Sequence, residues 1–328
     1  MSDTILEIKD LTVQFKSGKE YVQPVRGINF ELKKGEILGV VGESGSGKSV
    51  TSLAIMGLLP DKTSEIVNGE VSFRGKDLTK LKEKEYRKIR GNDISMIFQE
   101  PMTSLNPVFT IGEQLSEPLR QHRKMSKNEI QSKIVSMLKQ VGIPRAEQII
   151  NEYPHQLSGG MRQRVMISLA LLCQPKLMIA DEPTTALDVT IQAQILRLMK
   201  EIKNNHDMSL LFITHDLGVV AEMCDRVVVM YAGEIVELAE VNEMFDNPLH
   251  PYTKGLINSL PSKNTRKKRL YSIDGQVPKP NTVNKGCIFA SRCPMSFAKC
   301  FEKTPPSFKK GDHMSKCWLQ ETAEGGRV

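Results

Sequence analysis

The stretch that most restricts what this chain can fold into is a glycine-rich octapeptide, GESGSGKS, running from Gly42 to Ser49. It fits the pattern G-x-x-x-x-G-K-[ST] at every position and lies between the segment EILGVV at residues 36–41 and an apolar run from residue 50. The first segment predicts a buried parallel strand and the second predicts a helix. A strand, a glycine-rich turn and a helix in this order predict a loop whose backbone N–H groups point at phosphate oxygens. The sequence therefore predicts a binding site for a nucleoside triphosphate.

Each residue type in this loop has an expected task. The glycines let the backbone curl, Lys48 is expected to reach the β- and γ-phosphates, and the Ser49 hydroxyl is expected to ligate Mg²⁺. The predicted nucleotide-binding residues of this stretch are Gly42, Glu43, Ser44, Gly45, Ser46, Gly47, Lys48, Ser49 and Val50.

A second apolar segment, LMIADEP at residues 177–183, ends in two acids. In a parallel sheet Asp181 then lies at the carboxyl edge, where it is expected to hold Mg²⁺ through water. Glu182 is placed to polarise the attacking water. An apolar strand with terminal acids is common by itself, and it becomes informative here because a phosphate-binding loop precedes it.

Between these segments lies QLSGGMRQRVMISLALL, in which Ser158, Gly159 and Gly160 open a predicted helix. Its N-terminus offers unpaired N–H groups that suit a nucleotide held by another subunit. This stretch resembles the signature of the ATP-binding cassette family, which is usually LSGGQ. In that family two cassettes dimerise head to tail, and each nucleotide is covered by the partner's signature. Met161 stands where many cassettes have glutamine, and the backbone phosphate contacts do not depend on that side chain.

The resemblance implies roles for further residues that follow in the family's order. Phe15 is similar to the aromatic residue that stacks on adenine, and Tyr21 is an alternative for that contact. Gln99 matches the glutamine that contacts Mg²⁺ and the attacking water, and His215 matches the histidine on the γ-phosphate. Asp188 matches a residue of the loop that crosses the dimer interface.

Two longer strings narrow the resemblance, FQEPMTSLNPVFTIGEQ at residues 98–114 and NPLHPYTKGLINSLP at residues 247–261. They are similar to the ATPase subunits of oligopeptide and dipeptide importers. The resemblance implies an α/β P-loop cassette over residues 1–258, with a RecA-like core, a β subdomain and a helical subdomain at about residues 100–175. Within the latter, Ser126 and Glu129 predict a capping box for an amphipathic helix over residues 126–142.

As an importer ATPase, the chain is expected to hydrolyse ATP and to drive uptake of oligopeptides or dipeptides. The resemblance implies a second, non-identical ATPase subunit, two transmembrane permease subunits and, indirectly, an extracytoplasmic solute-binding protein. No stretch approaches the 18 or more apolar residues of a membrane span, and the N-terminus lacks the layout of a signal peptide. The expected location is therefore peripheral, on the cytoplasmic face of the cell membrane.

Two alternatives keep the cassette but change its task. Similar ATPases serve nickel or metallophore importers, and soluble cassette ATPases act on nucleic acid. A net charge of +7 permits several acidic partners and selects none. The basic run at residues 263–270 contains no interleaved aromatics, which is typical of a solvated linker, and the soluble relatives carry tandem cassettes or long coiled coils. We therefore expect no nucleic-acid partner.

Residues 259–328 are rich in proline and lysine and poor in long apolar runs, which predicts a small, cysteine-rich C-terminal domain. In a reducing compartment a metal is favoured over a disulfide as the cross-link that would stabilise such a domain. The spacing C-x5-C-x6-C-x16-C leaves zinc (with His313 replacing one cysteine), an iron–sulfur cluster and unligated thiols open. The resemblance to peptide-importer ATPases favours a [4Fe–4S] cluster. The predicted ligands are Cys287, Cys293, Cys300 and Cys317.

Overall fold

The structure, a computed structural model, describes residues 3–99, 104–184, 188–260, 271–278 and 285–321. The basic run at residues 263–270 and part of the string at residues 98–114 lie outside the described residues. The chain divides into two compact units. The first unit comprises Lys33–Glu36 and Leu81–Phe212, and the second comprises the described parts of Ser2–Leu32, Ile37–Lys80 and Ile213–Val328.

Segments of the first unit and segments of the second unit alternate along the chain. The strands are β1 (Thr4–Ser17), β2 (Glu20–Lys33), β3 (Ile37–Val41), β4 (Ser64–Phe73), β5 (Lys76–Asp77), β6 (Ile94–Ile97), β7 (Leu177–Asp181), β8 (Ser209–Ile213), β9 (Arg226–Tyr231), β10 (Glu234–Glu240), β11 (Phe308–Lys310) and β12 (His313–Ser315). The helices are α1 (Lys48–Met56), α2 (Glu83–Ile89), α3 (Ile111–His122), α4 (Lys127–Gln140), α5 (Ala146–Ile149), α6 (Gly159–Leu171), α7 (Val189–Asn205), α8 (Leu217–Met223), α9 (Val241–Asp246), α10 (Pro251–Asn258) and α11 (Ala298–Glu302). Among the described residues, no helix has both the length and the apolar character needed to cross a bilayer.

The second unit contains the phosphate-binding loop and two groups of paired strands. One is a four-stranded sheet in the order β2-β1-β4-β5, whose β1–β4 and β4–β5 pairings are antiparallel. In the other, β11, β12, β10 and β9 follow one another in antiparallel pairs, and β9 lies parallel to β3. All five residues of β3 are buried, as its apolar sequence predicts.

In the first unit, β6 and β7 pair in parallel with Ile97 opposite Ala180, and β8 lies beside β7. The predicted amphipathic helix is confirmed as α4. Its capping box forms, because the Ser126 N–H donates to Glu129 Oε2 at 2.7 Å and Ser126 Oγ accepts from the Glu129 N–H. Its apolar face is buried, which places Ile130, Ile134 and Leu138 in the core.

The described part of the C-terminal segment belongs to the second unit, so a separate, small cysteine-rich domain is not supported. Strand β12 extends the second unit by pairing with β10, with Met314 opposite Leu238. Phe289 packs its ring 5.2 Å from Tyr231 and 5.4 Å from Tyr252, measured between centroids. These large side chains therefore share one buried core with the preceding strands.

Candidate functional site

The predicted phosphate loop has the backbone that its glycines require. Gly42 and Gly47 have φ angles of 153° and 101°, and Gly47 caps the start of α1 in a left-handed conformation. A Cβ atom at Gly42 would lie 2.1 Å from the carbonyl oxygen of Met230, and one at Gly47 would lie 2.4 Å from that of Pro24. No side chain fits at either position, because both neighbours are backbone atoms.

The lysine and the first turn of α1 lie at this loop. Lys48 is 6% exposed, and its ammonium donates to the carbonyl oxygens of Gly42 at 2.7 Å and Glu43 at 3.1 Å. Ser49 and Val50 follow in the first helical turn and are partly exposed. A cation, a helix N-terminus and inward-curled backbone in one place constitute an anion-binding arrangement.

Two residues that the sequence analysis missed hold the side of this loop. The Glu43 N–H donates to the Tyr252 hydroxyl at 2.9 Å, and the Arg292 guanidinium contacts the Glu43 carboxylate at 2.9 and 3.3 Å. Tyr252 lies within the importer-like string at residues 247–261, which was the available signal for it. Nothing in the sequence around Arg292 indicates its partner, since 249 positions separate the two residues.

In the first unit, the predicted acids Asp181 and Glu182 lie at the carboxyl end of β7. Asp181 ends the strand at 3% exposure, and Glu182 follows with a φ of 49°, a left-handed conformation that is uncommon for a residue with a side chain. The structure brings Gln99 to this acid, because its Nε2 donates to Glu182 Oε2 at 3.3 Å. Gln163, which the sequence analysis missed, is 1% exposed and donates its amide to the carbonyl oxygen of Pro183. Helix α6 thereby contacts the backbone that carries the acids.

The signature residues form the start of α6. Ser158 is the N-cap, with its Oγ accepting from the Met161 N–H at 3.3 Å, and Gly159 and Gly160 are the first helical residues. A Cβ at Gly160 would lie 3.3 Å from Ile191 Cγ2, so this helix end approaches α7 closely.

Asp188, predicted at an interface between two cassettes, has a task within this chain. It caps α7, and its Oδ1 accepts from the Ile191 N–H at 3.0 Å. The rest of the interface is not tested by a single chain, and the interface role of Asp188 stays a prediction. Residues 185–187, which precede it, lie outside the described residues.

Three further predicted contacts lie in the second unit. His215 follows β8 and is exposed. Phe15 is partly buried on β1 opposite Ser64, and Tyr21 is 51% exposed on β2. Both aromatic residues are accessible, so their positions do not distinguish Phe15 from Tyr21 as the residue that contacts adenine. The roles of Phe15, Tyr21 and His215 stay predictions.

The four C-terminal cysteines are near one another. The Cys287 N–H donates to the Cys300 carbonyl oxygen at 2.7 Å. Burial raises the pKa of the Cys287 thiol to about 12, and the charges of Cys317, Cys300 and Cys293 add to the increase. Burial likewise raises the pKa of Cys317 to about 11, with smaller effects of Cys293, Cys300 and Glu237 in the same direction. The Cys287 and Cys317 thiols are therefore protonated at neutral pH when they ligate nothing.

This arrangement does not suit a single ion. In the described part of the chain, no group of three or more His, Cys, Asp or Glu side chains is placed to hold one metal ion. In the zinc alternative, His313 would replace one cysteine as a ligand. Its Nε2 instead contacts Oε1 of the fully buried Glu237 at 2.7 Å. The described residues therefore support neither the zinc alternative nor a bound [4Fe–4S] cluster, and the cluster stays a prediction.

Comparison with known proteins matches two family models. The model described as "ABC transporter" matches residues 25–185, and the model described as "Oligopeptide/dipeptide transporter, C-terminal region" matches residues 236–300. The first spans the glycine-rich loop and the two acids at the end of β7. The second covers most of β10, the string at residues 247–261 and three of the four cysteines.

Curated relatives align along almost the whole chain. The oligopeptide transport ATP-binding protein AppD of Bacillus subtilis is 53% identical over 97% of this chain and 97% of its own length. The dipeptide transport ATP-binding protein DppD of Lactococcus lactis is 52% identical over 97% of this chain and 91% of its own length.

Among solved structures, the ATP-binding cassette MJ0796, a dimer in a post-hydrolysis state bound to ADP and Pi, matches with a TM-score of 0.64 and 32% identity. The match covers 72% of this chain and 98% of MJ0796.

Proposed function

The chain belongs to the family of ATP-binding subunits of oligopeptide and dipeptide ABC transporters, and we propose that it is the ATPase subunit of a peptide importer. One observation carries this proposal, namely the match to the peptide-transporter C-terminal region in a chain that also holds the cassette. The fold is that of a P-loop cassette, and ATP is its substrate. The nickel or metallophore alternative and the nucleic-acid alternative have no comparable observation in their favour.

For ATP binding, the loop from Gly42 to Val50 cradles the phosphates with its backbone N–H groups, and Lys48 provides the counter-charge. Phe15 stacks on the base. Ser49 and Asp181 offer the hard oxygen ligands that Mg²⁺ prefers, and the bound ion would neutralise charge on the phosphates. Asp181 suits this role because it is a buried acid at the carboxyl end of β7.

For hydrolysis, Glu182 polarises the attacking water and Gln99 orients both the water and the acid. The contact between Gln99 and Glu182 supports this assignment because it points the two side chains at one another. The left-handed backbone of Glu182 is a form of local strain that concentrates at active sites. His215 contacts the γ-phosphate and completes the proposed set.

For coupling, we propose that Ser158, Gly159 and Gly160 cover the nucleotide of a second, non-identical ATPase subunit. The exposed N-cap and the helix N-terminus behind it supply free N–H groups for that phosphate. Asp188 lies at the same interface. Closure of the pair is transmitted to two permease subunits, which receive solute from an external binding protein. The chain thus works at the cytoplasmic face of the membrane.

We further propose that Cys287, Cys293, Cys300 and Cys317 hold a [4Fe–4S] cluster. The backbone hydrogen bond between Cys287 and Cys300 and the burial of Cys287, Cys300 and Cys317 support the proposal. A four-iron core also separates its ligands more than one ion does. When bound, the cluster would cross-link this segment and keep its thiols deprotonated. Iron and acid-labile sulfide are measured on anaerobically purified protein. Near four of each per chain, lost in C293S, is the expected result, and the absence of both would contradict the proposal.

The transport proposal is tested by uptake of labelled oligopeptides and dipeptides in cells lacking this chain. Wild-type chain is expected to restore uptake, and E182Q is expected not to. Restoration by E182Q would contradict the mechanism. Unchanged peptide uptake after deletion, together with a loss of nickel uptake, would support the metallophore alternative instead.

A further inference from the structure

Glu43 is the only acid within the phosphate-binding loop Gly42–Ser49, and three groups of the second unit hold it. Its N–H donates to the Tyr252 hydroxyl at 2.9 Å, and its carbonyl oxygen accepts from Lys48 at 3.1 Å. Its carboxylate receives both terminal nitrogens of Arg292, Nη1 to Oε2 at 2.9 Å and Nη2 to Oε1 at 3.3 Å. The last contact is a bidentate pair, the geometry in which a guanidinium matches a carboxylate best.

The Arg292 guanidinium is also held by hydrogen bonds to groups outside the loop. Its Nε donates to the carbonyl oxygen of Asp274 at 2.9 Å, and its Nη2 donates to that of Ile273 at 3.3 Å. Nη1 also donates to the Tyr231 hydroxyl at 3.3 Å. The Arg292 side chain is 6% exposed, whereas that of Glu43 is 28% exposed. The arginine is therefore a buried, preorganised cation, and little side-chain freedom remains to be lost when it pairs.

An acid in a phosphate-binding loop needs such a partner. The loop and the N-terminal end of α1 create a positive potential that attracts an incoming triphosphate. An uncompensated carboxylate beside them would repel the triphosphate. An ordinary surface cation would be screened by solvent and salt, but a buried one is screened much less. The pair thus removes an electrostatic penalty on nucleotide binding while holding the loop's backbone in place.

We propose that Arg292 is a positioning residue of the nucleotide site, which neutralises and orients Glu43 so that the loop accepts MgATP. This inference rests on the proposed function, because it takes the Gly42–Ser49 loop as the ATP site. It also gives the C-terminal segment a task in the ATPase that is separate from metal binding. Arg292 acts on ATP through Glu43 and does not contact the reacting atoms.

The test is a double-mutant cycle on the full-length chain, in the assembled transporter, with R292Q, E43Q and the double variant. R292Q is expected to raise KM for ATP about 5- to 10-fold with kcat within about twofold, which corresponds to roughly 1.4 kcal/mol at tenfold. In the E43Q background the same substitution is expected to raise KM less than about twofold, because no carboxylate remains to be neutralised. R292K retains the positive charge but cannot form the bidentate pair with the carboxylate. Its KM for ATP is therefore expected to lie between those of wild type and R292Q.

Arg87 provides a matched control, since it forms an exposed ion pair with Glu83 at 3.1 Å on α2. Both residues lie far in sequence from Glu43 and Arg292. R87Q is expected to leave KM and kcat unchanged. An R292Q protein with wild-type KM, or an equal KM increase with and without the Glu43 carboxylate, would overturn the inference. If R292Q does not fold, R292K and E43Q/R292K carry the same comparison. Failure of the wild-type chain to bind MgATP would instead overturn the proposed function.

Discussion

Gln99 and Glu182 are in contact, with the amide Nε2 of the first donating to Oε2 of the second at 3.3 Å. They stand 83 positions apart in sequence, and each follows the end of a different strand of the first unit. Because β6 and β7 are parallel neighbours, their carboxyl ends lie at the same edge and bring the two polar side chains together.

E182Q should abolish most ATP hydrolysis while MgATP binding is retained, because the amide cannot polarise water but keeps the shape of the side chain. We expect kcat to fall at least about 100-fold, the range typical of a lost general base. ATP binding and phosphate release are measured on the same preparation. E201Q, an exposed glutamate on α7, is the matched control and should behave as wild type. Hydrolysis by E182Q at more than about a tenth of the wild-type rate would remove this residue from the mechanism.

Q163A should slow hydrolysis through the backbone beside Glu182. Gln163 is 1% exposed and its amide holds the Pro183 carbonyl, which the substitution leaves without that donor. Loss of a buried hydrogen bond destabilises a protein by about 1–3 kcal/mol. We expect a lower melting temperature and a kcat reduced several-fold, with KM for ATP little changed. Q148A, at an exposed glutamine of the same unit, should change neither quantity. An unchanged kcat in Q163A would show that this contact serves stability alone.

G47A should prevent the loop from adopting its backbone conformation. The new Cβ would lie 2.4 Å from the Pro24 carbonyl oxygen, and the φ of 101° adds strain. We expect loss of MgATP binding and a marked decrease in the free energy of unfolding. Gly18 provides the control, since it has a φ of 64° with nothing within 4 Å of its Cβ position. G18A should therefore lower the free energy of unfolding by only about 1 kcal/mol, the penalty for a side chain in the left-handed conformation. Equal stability of the two variants would contradict the clash.

The second unit should lose stability at mildly acidic pH through His250. Burial lowers the pKa of this imidazole to about 4; Glu237 opposes the shift and Lys254 adds to it. In the unfolded chain the imidazole takes up a proton near pH 6.5. Between about pH 6.5 and 4 the unfolded state therefore binds more protons, and the free energy of unfolding falls as the pH falls.

The matched variant is H250N, because an asparagine oxygen can replace Nδ1 in accepting the Tyr252 N–H that caps α10. Between pH 7.5 and pH 5, wild type should lose on the order of 2 kcal/mol more than H250N. Urea unfolding followed by the fluorescence of Trp318, the single tryptophan, reports on this unit. The same pH dependence in both proteins would exclude His250 as the source.

The sequence by itself determined the parts of this protein that depend on neighbouring residues. The strand and loop around Gly42, the acids after β7, the N-cap at Ser158 and the capping box at Ser126 all follow from residue type and spacing over a few positions. Such features are predictable because steric limits and local hydrogen bonds act within one or two turns of the chain.

Only the tertiary structure decided which distant groups meet. Arg292 reaches Glu43 across 249 positions, and His313 reaches Glu237 across 76, which withdraws it from the cysteines. The C-terminal segment joined the core of the second unit because Phe289 could pack on Tyr231 and Tyr252. These contacts depend on the path of the whole chain and on the close packing of large side chains, and neither is encoded in the spacing of a motif.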